Sequence, residues 1–336
     1  MNSARAQHIV VYWGRRGGGL DLFNLFVEEC NERIIPIIAS VRPTASRQDG
    51  QSSTISFINV RAWFIARKSL LRQATEGGIR SVVIIMSSPW DLFLGMRLEK
   101  SGVKVVRIIH DANPHPGEKF PPKIWINLLT KDCSRIVTLS NYVARELTTN
   151  HKVDSTKIMV CSFPTPKIQN NQNKKTLSPK KILLIGRGKK YQGQKLLEET
   201  WDLIDKTDKI LVIAGEGFKP NPKHPDIEYK NWWMTREEML DEISTSDLVV
   251  FPYIEASQSG TIPICKALGI PVLVTPVGGL IEQVEDGVTG LISAGISPNR
   301  LANAFVNAMS VNWNFENIDE KSLKNDLIQG CLQGVK

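Results

Sequence analysis

No apolar run in this 336-residue chain reaches the roughly 18 residues that a membrane-spanning helix needs, and no signal-peptide pattern opens it. Cysteine is scarce. Cys30, Cys133, Cys161, Cys265 and Cys331 are odd in number, scattered, and never spaced as CxxC. Neither a zinc site nor a disulfide framework is expected, and a cytosolic, reducing location is the simplest reading. No DxD pair occurs, which removes the usual way of holding a divalent ion on a diphosphate. GxSxG and HExxH are missing too, so hydrolase chemistry has little support.

What is present describes a soluble globular protein: 42% apolar and 23% charged residues, in a length comfortable for two domains. The net charge of +8 is unevenly divided. Residues 1–174 hold 24 Lys and Arg against 13 Asp and Glu, whereas residues 175–336 hold 18 against 21. One half is therefore expected to face something anionic. Nucleic acid is disfavoured, because no zinc finger, RNA-recognition signature or basic stripe with interleaved aromatics occurs. An anionic membrane surface, a phosphate-linked substrate and a merely solvated basic face all remain open.

Apolar runs alternate with stretches of helical length throughout, which predicts βαβ units and parallel sheets. In the first half the strands are expected at His8–Trp13, Ile34–Ser40, Ser81–Met86, Lys104–Ile109 and Arg135–Leu139. Residues 42–53 are polar and turn-rich and read as a mobile loop. The clearest break in composition is 167–181, KIQNNQNKKTLSPKK, where nothing is periodic. The expected organisation is a Rossmann-like domain over 1–166, a linker over 167–181 and a second Rossmann-like domain over 182–315. A helix over 316–336 would then pack back across the domains. The fold class is thus α/β, with two doubly wound parallel sheets facing a cleft, and ligands are expected beyond the carboxyl ends of strands.

Several loops at strand ends carry candidate chemistry. GRRGGG at 14–19 follows the first strand, and its consecutive glycines, Gly18 and Gly19 among them, let amides approach a ligand. It is neither GxGxxG with a following acid nor a P-loop, so a nicotinamide dinucleotide is disfavoured. His110 opens HDANPHPG at another strand end, where His115 is a second, weaker candidate. Arg187, Lys189 and Lys190 place fixed charge beside Gly186 and Gly188, suited to a phosphate or simply to a basic turn. Gly217 sits in a tight turn at a strand end and is a nucleotide-contact candidate, with packing alone as the alternative, and Trp232 is placed to flank a base. Core packing is expected for at least one of Trp232 and Trp233. Glu282, Glu285 and Asp286 read as the solvent face of a helix.

The densest stretch is 251–291. A strand ends at Glu255, a small polar loop follows, and a helix opens near Thr261 with Pro263 in its first turn. Unpaired amides at such a helix start, from Ser259, Gly260 and Thr261, favour an anion.

With these pieces in order, the chain resembles the two-Rossmann-domain (GT-B) glycosyltransferases, specifically the large retaining family 4. The resemblance rests on ILLIGR, IAGEG, DLVVFPYIEASQSGTIP and PVLVTPVGGLIEQVEDGVTGLI in the second half, and on HDANPHPG in the first. It looks like the subset with an HDxxPHPG loop and a Ser/Thr-Gln-Ser-Gly donor loop. What the resemblance implies is transfer of a sugar from a nucleotide-diphosphate donor to a saccharide or lipid-linked saccharide acceptor. Configuration would be retained, with no cofactor, no metal and no nucleic-acid partner, in surface polysaccharide synthesis at the inner face of the membrane. Arg187 falls on the family's diphosphate-binding arginine, Glu255 on the first glutamate of its paired motif, and His110 on the histidine near the donor sugar. Ser259, Gly260 and Thr261 would contact the phosphates.

Two departures stand out. The family's lysine after the arginine is Gln192 here, with Lys189 or Lys190 as the substitute, and the second glutamate is replaced near Ile264. They motivate a rival reading, a catalytically weak nucleotide-sugar-binding partner of another transferase. A nucleotide-sugar epimerase is a third reading on the same architecture.

Overall fold

The computed structural model describes residues 6–13, 18–30, 33–40, 53–56, 60–86, 88, 91, 93–117, 122–166, 168, 179–313, 315 and 320–332. The glycine loop over 14–17, the polar segment over 42–52 and the linker residues 167 and 169–178 lie outside the described residues. The chain divides into two compact units. One comprises Met1–Pro114, Phe120–Ser162 and Lys321–Lys336, the other His115–Lys119 and Phe163–Glu320.

Short, apolar, β-branched runs build a parallel sheet in the first unit. Its strands are β1 (His8–Tyr12), β2 (Ile34–Ser40), β3 (Ser53–Ser56), β4 (Ser81–Ile85), β5 (Lys104–Ile109), β6 (Arg135–Thr138) and β7 (Ile158–Val160). They lie in the order β3-β2-β1-β4-β5-β6-β7. The crossovers run through α1 (Gly18–Cys30), α2 (Val60–Glu76), α3 (Leu94–Lys100), α4 (Lys123–Lys131) and α5 (Asn141–Asn150). Ser140 caps α5 by accepting from the Val143 amide at 3.3 Å.

The second unit repeats the plan with β8 (Lys180–Ile185), β9 (Lys209–Ala214), β10 (Ile227–Lys230), β11 (Leu248–Phe251), β12 (Val272–Val274) and β13 (Gly290–Ile292). Their order is β10-β9-β8-β11-β12-β13, again all parallel. The helices are α6 (Gln194–Trp201), α7 (Arg236–Ser244), α8 (Ile262–Ala267) and α9 (Pro298–Ser310). The side chains of β11 and β12 are wholly buried, as expected of strands covered on both faces. The last helix, α10 (Glu320–Leu332), returns to the first unit, where the Gly330 carbonyl accepts from Arg135 Nη1 at 3.2 Å. None of the described helices is long and apolar enough to cross a membrane.

The strand order reverses between β1 and β4 in one sheet and between β8 and β11 in the other. At such switch points neighbouring strands send their following loops in opposite directions and open a crevice for ligands. The sequence reading missed β3, β7 and β13, which have four residues or fewer and too little alternation to register. The expected helix through Glu282, Glu285 and Asp286 is a run of turns instead, although all three side chains are exposed. Pro276, Gly278, Gly279 and Gly287 punctuate that segment, and Gly287 takes φ +78°. All five cysteines are buried and free, and burial pushes Cys133 up to about 12 and Cys161 to about 11. Thiols so held are packing groups rather than nucleophiles.

One charged cluster interrupts the first core. Arg107 of β5 donates from Nε and Nη2 to Asp132 at 2.8 and 3.0 Å, and from Nη1 to Asp91 at 3.1 Å. Burial outweighs the attraction of Arg107 at Asp91 and pushes that carboxyl up to about 6. Its native pKa then exceeds its unfolded one, so the stability it contributes at low pH is lost as pH rises through about 6. Asp132→Ala would leave Arg107 half-paired in a dry core and is expected to cost about 3–5 kcal/mol in denaturant unfolding. A loss under about 1 kcal/mol would show that the cluster is more hydrated than its burial implies.

Candidate active site

The loop that follows β8 is organised by one side chain. Gln192 is buried, and its Oε1 accepts from the amides of Arg187 at 3.0 Å and Lys189 at 3.2 Å. Its Nε2 donates to the hydroxyl of Tyr253 at 2.9 Å, just beyond β11. Loops from the two strands at the switch point are thereby tied together. A backbone bond from the Ile254 amide to the Tyr191 carbonyl, 2.8 Å, makes a second tie. Glycine is required twice here. A Cβ on Gly188, at φ +59°, would fall 2.1 Å from the Gly217 backbone, and one on Gly193 would fall 1.8 Å from the Pro252 carbonyl oxygen. Arg187, Lys189 and Lys190 stand exposed on this braced loop, with Arg187 Nη2 3.4 Å from the Tyr191 hydroxyl.

The loop after β11 is held from the other side. Thr275 donates its hydroxyl to the Tyr253 carbonyl. Gln283 grips Ser259 with both ends of its amide: Oε1 accepts from the Ser259 amide at 2.7 Å, and Nε2 donates to the Ser259 carbonyl at 2.9 Å. Ser259 Oγ then accepts from the Thr261 amide at 3.3 Å. The Ser259 amide is thus occupied. Among the described residues nothing takes the Gly260 amide or the Thr261 hydroxyl, and these are the groups the loop can present to an anion. Because α8 has only six residues, individual donors matter more here than a macrodipole.

His115 belongs with the second unit and carries more than its weak signal in the sequence implied. It is buried, stacks on Tyr191 with ring centroids 4.4 Å apart, and lies 3.3 Å through Nδ1 from Glu255 Oε1. Where Glu255 accepts, the imidazole donates through Nδ1–H. The Glu255 side chain is 37% exposed, which leaves its other oxygen open to a ligand.

His110 lies in the first unit at the end of β5, its Nε2 2.8 Å from Asp111 Oδ2. Its Nδ1 is buried and unpartnered among the described residues. Gly18 begins α1, and Gly19 is packed so tightly that a Cβ would meet Tyr12 at 2.4 Å and Met86 at 2.7 Å. Close packing therefore accounts for Gly19. Gly217 donates its amide to Asn231 Oδ1 at 2.9 Å. Trp232 and Trp233 are 47% and 42% exposed, so neither fills the core. They follow β10, an edge strand, where the sheet has no further neighbour to cover them. Sequence reasoning missed Gln283 and read Gln192 only as a lost lysine, because a glutamine that braces backbone leaves no spacing signature.

Residues 179–310 match the family described as glycosyl transferases group 1. That stretch runs from the start of β8 to the end of α9, so the match covers most of the second unit's sheet and helices. Solved structures are similar over almost the whole chain. A glycosyltransferase from Rickettsia africae ESF-5 is 16% identical, covers 98% of this chain and 95% of its own, and has a TM-score of 0.63. Anabaena HepE in complex with UDP-glucose is 12% identical, with 97% and 94% covered and a TM-score of 0.67. The lipopolysaccharide outer core galactosyltransferase WaaB is 12% identical, with 98% and 96% covered and a TM-score of 0.63. At these identities the likeness establishes the two-sheet GT-B fold. No curated protein sequence matches the chain.

Gln192→Leu should strand two amides and a buried hydroxyl at once, costing about 2–4 kcal/mol in denaturant unfolding. Gln192→Lys, which introduces the lysine of the pattern the chain resembles, should also destabilise, because an ammonium cannot accept from the two amides. Unchanged stability in either variant would mean that the loop is braced by other contacts.

Proposed function

We propose that the chain is a metal-independent, retaining glycosyltransferase of family 4. It would move a sugar from a nucleoside-diphosphate donor to a lipid-linked saccharide during synthesis of a surface polysaccharide. One observation carries the reading. Exposed Arg187 and the open Gly260 amide and Thr261 hydroxyl stand on loops from adjacent strands at a switch point, and Gln192 locks those loops together. The family match over 179–310 supports the sugar-transfer chemistry.

As the bond between the anomeric carbon and the diphosphate lengthens, negative charge gathers on the phosphates and positive charge on the sugar. Arg187, Lys190 and the Gly260 and Thr261 donors would stabilise the phosphates with groups already in place, which is where preorganised electrostatics act most strongly. A departing phosphate oxygen then takes the acceptor hydroxyl's proton while the acceptor's oxygen bonds to the anomeric carbon. Both events occur on one face, so configuration is retained and no protein nucleophile is needed. Glu255, steadied by His115, would hold a donor hydroxyl. His110, oriented by Asp111, is the histidine assigned to the donor sugar and leaving phosphate. Trp232 and Gly217 flank the nucleotide in this reading, while Ser259 acts through the loop shape that Gln283 imposes.

The rival, a weak binding partner without turnover, draws its support from Gln192 and from the missing second glutamate. The brace that Gln192 makes to the arginine's own backbone weakens the first of these supports. Arg187→Ala should lower transfer about 100-fold, about 3 kcal/mol in the barrier, with the fold intact by circular dichroism. The assay is run with a panel of nucleotide sugars in EDTA, and the product anomer is read by NMR. An unchanged rate would remove Arg187 from the phosphate, whereas an inverted product or a strict need for added metal would overturn the mechanism.

A further inference from the structure

A second cleft, of about 550 Å³, lies in the first unit between α2 and α3, and no step proposed above uses it. Lys68 and Arg72 of α2 and Arg97 and Lys100 of α3 line it, and Glu76 is the one carboxylate among the lining residues. Glu76 is already engaged by Arg72 at 2.8 Å. Next to Lys68 on α2, Arg67 is 5% exposed, with Nε and Nη2 unpartnered among the described residues; burial and Arg97 disfavour its charge, and Asp91 and Asp132 favour it. The cleft lining thus sets four cations against one carboxylate where the two helices meet.

The same helix faces carry apolar side chains in the open. Phe64 is 55% exposed and stands one turn before Lys68, while Ile65 is 63% exposed and two turns before Arg72. Phe93, 44% exposed, stands one turn before Arg97, and Met96, 38% exposed, one turn before Lys100. Large apolar tips beside cations, repeated on both helices, form the amphipathic pattern of an interfacial surface. Charge complementarity selects among partners. A cationic cleft fits phosphodiester headgroups, and the adjoining aliphatic and aromatic tips fit the acyl boundary beneath them, whereas nucleic acid gives Ile65 and Met96 nothing to enter.

We propose that this face of α2 and α3 docks on an anionic lipid surface, with lipid phosphates in the Lys68–Arg97–Lys100 cleft and Phe64 and Ile65 at the headgroup boundary. The inference deepens the lipid-linked acceptor proposed above and rests on that reading for its purpose, although docking is read without any transfer.

The test is sedimentation of the full chain with vesicles of phosphatidylcholine alone, or of equal parts phosphatidylcholine and phosphatidylglycerol. Binding is expected to the anionic vesicles only. Each cation near a charged leaflet is worth roughly fivefold in partition, so Lys68→Glu/Arg97→Glu/Lys100→Glu should weaken binding by at least about 100-fold. Lys195→Glu/Lys219→Glu/Lys223→Glu, which changes net charge equally on exposed positions of the other unit, should leave it within about threefold. Phe64→Ser/Ile65→Ser should cost about tenfold.

Equal loss in the two triple variants would overturn the proposal, since net charge alone would then explain binding. So would an absence of vesicle binding, displacement of vesicles by inorganic phosphate alone, or an oligonucleotide binding where vesicles do not. Transfer to a short water-soluble saccharide is measured in parallel. It should survive in the Lys68, Arg97 and Lys100 triple variant, so a failed docking surface and a failed enzymatic reading give different results.

Discussion

Much of the second unit depends on how a single buried amide is satisfied. Gln192 closes hydrogen bonds to two amides of one loop and a tyrosine hydroxyl of the next. Unmade, those buried groups would cost more than the bonds gain, so the arrangement is close to obligatory once Tyr253 is buried. Burial does hold the Tyr253 hydroxyl in its neutral form, raising its pKa well above the usual phenol value. A neutral donor–acceptor lattice results under an exposed cationic loop. The cations can turn outward because the backbone beneath them needs nothing further from solvent.

Gln283 repeats the device one loop away. It takes the Ser259 amide out of play and thereby determines which groups of the polar loop stay open. His115 does the same for Glu255, with Tyr191 stacked against its ring. Three bracing side chains thus stand behind three presenting groups. This division accounts for one of the two departures from the pattern the chain resembles. A lysine at position 192 would present charge; the glutamine there instead supports the backbone of Arg187, while Lys189 and Lys190 stand exposed on the same loop.

The sequence made the alternating architecture legible because strands such as Leu248–Phe251 are fully buried on both faces and read as unbroken apolar runs. It also located the strand ends, and hence Arg187, Glu255 and Gly260. Strands with little or no periodic signal escaped, β3 and β13 among them. So did the turn series over 276–289, whose apolar spacing imitates a helix until its glycines are weighed. The tryptophans at 232 and 233 misled because an edge strand leaves its following residues uncovered. The bracing roles escaped, even where the residue itself was noted as with His115 and Gln192: the partners lie from three to 140 positions away and are backbone groups as often as side chains.

The central claim is that the crevice between the β8 and β11 loops is built for a diphosphate. A crystal structure of the full chain with UDP and GDP, each soaked in the presence of EDTA, tests this most directly. The account predicts a diphosphate within hydrogen-bonding distance of the Gly260 amide, the Thr261 hydroxyl and the Arg187 guanidinium, with Gln192 unmoved beneath them. A nucleotide bound elsewhere, or phosphates that ignore Arg187 and Gly260 while the loop stays closed, would contradict it.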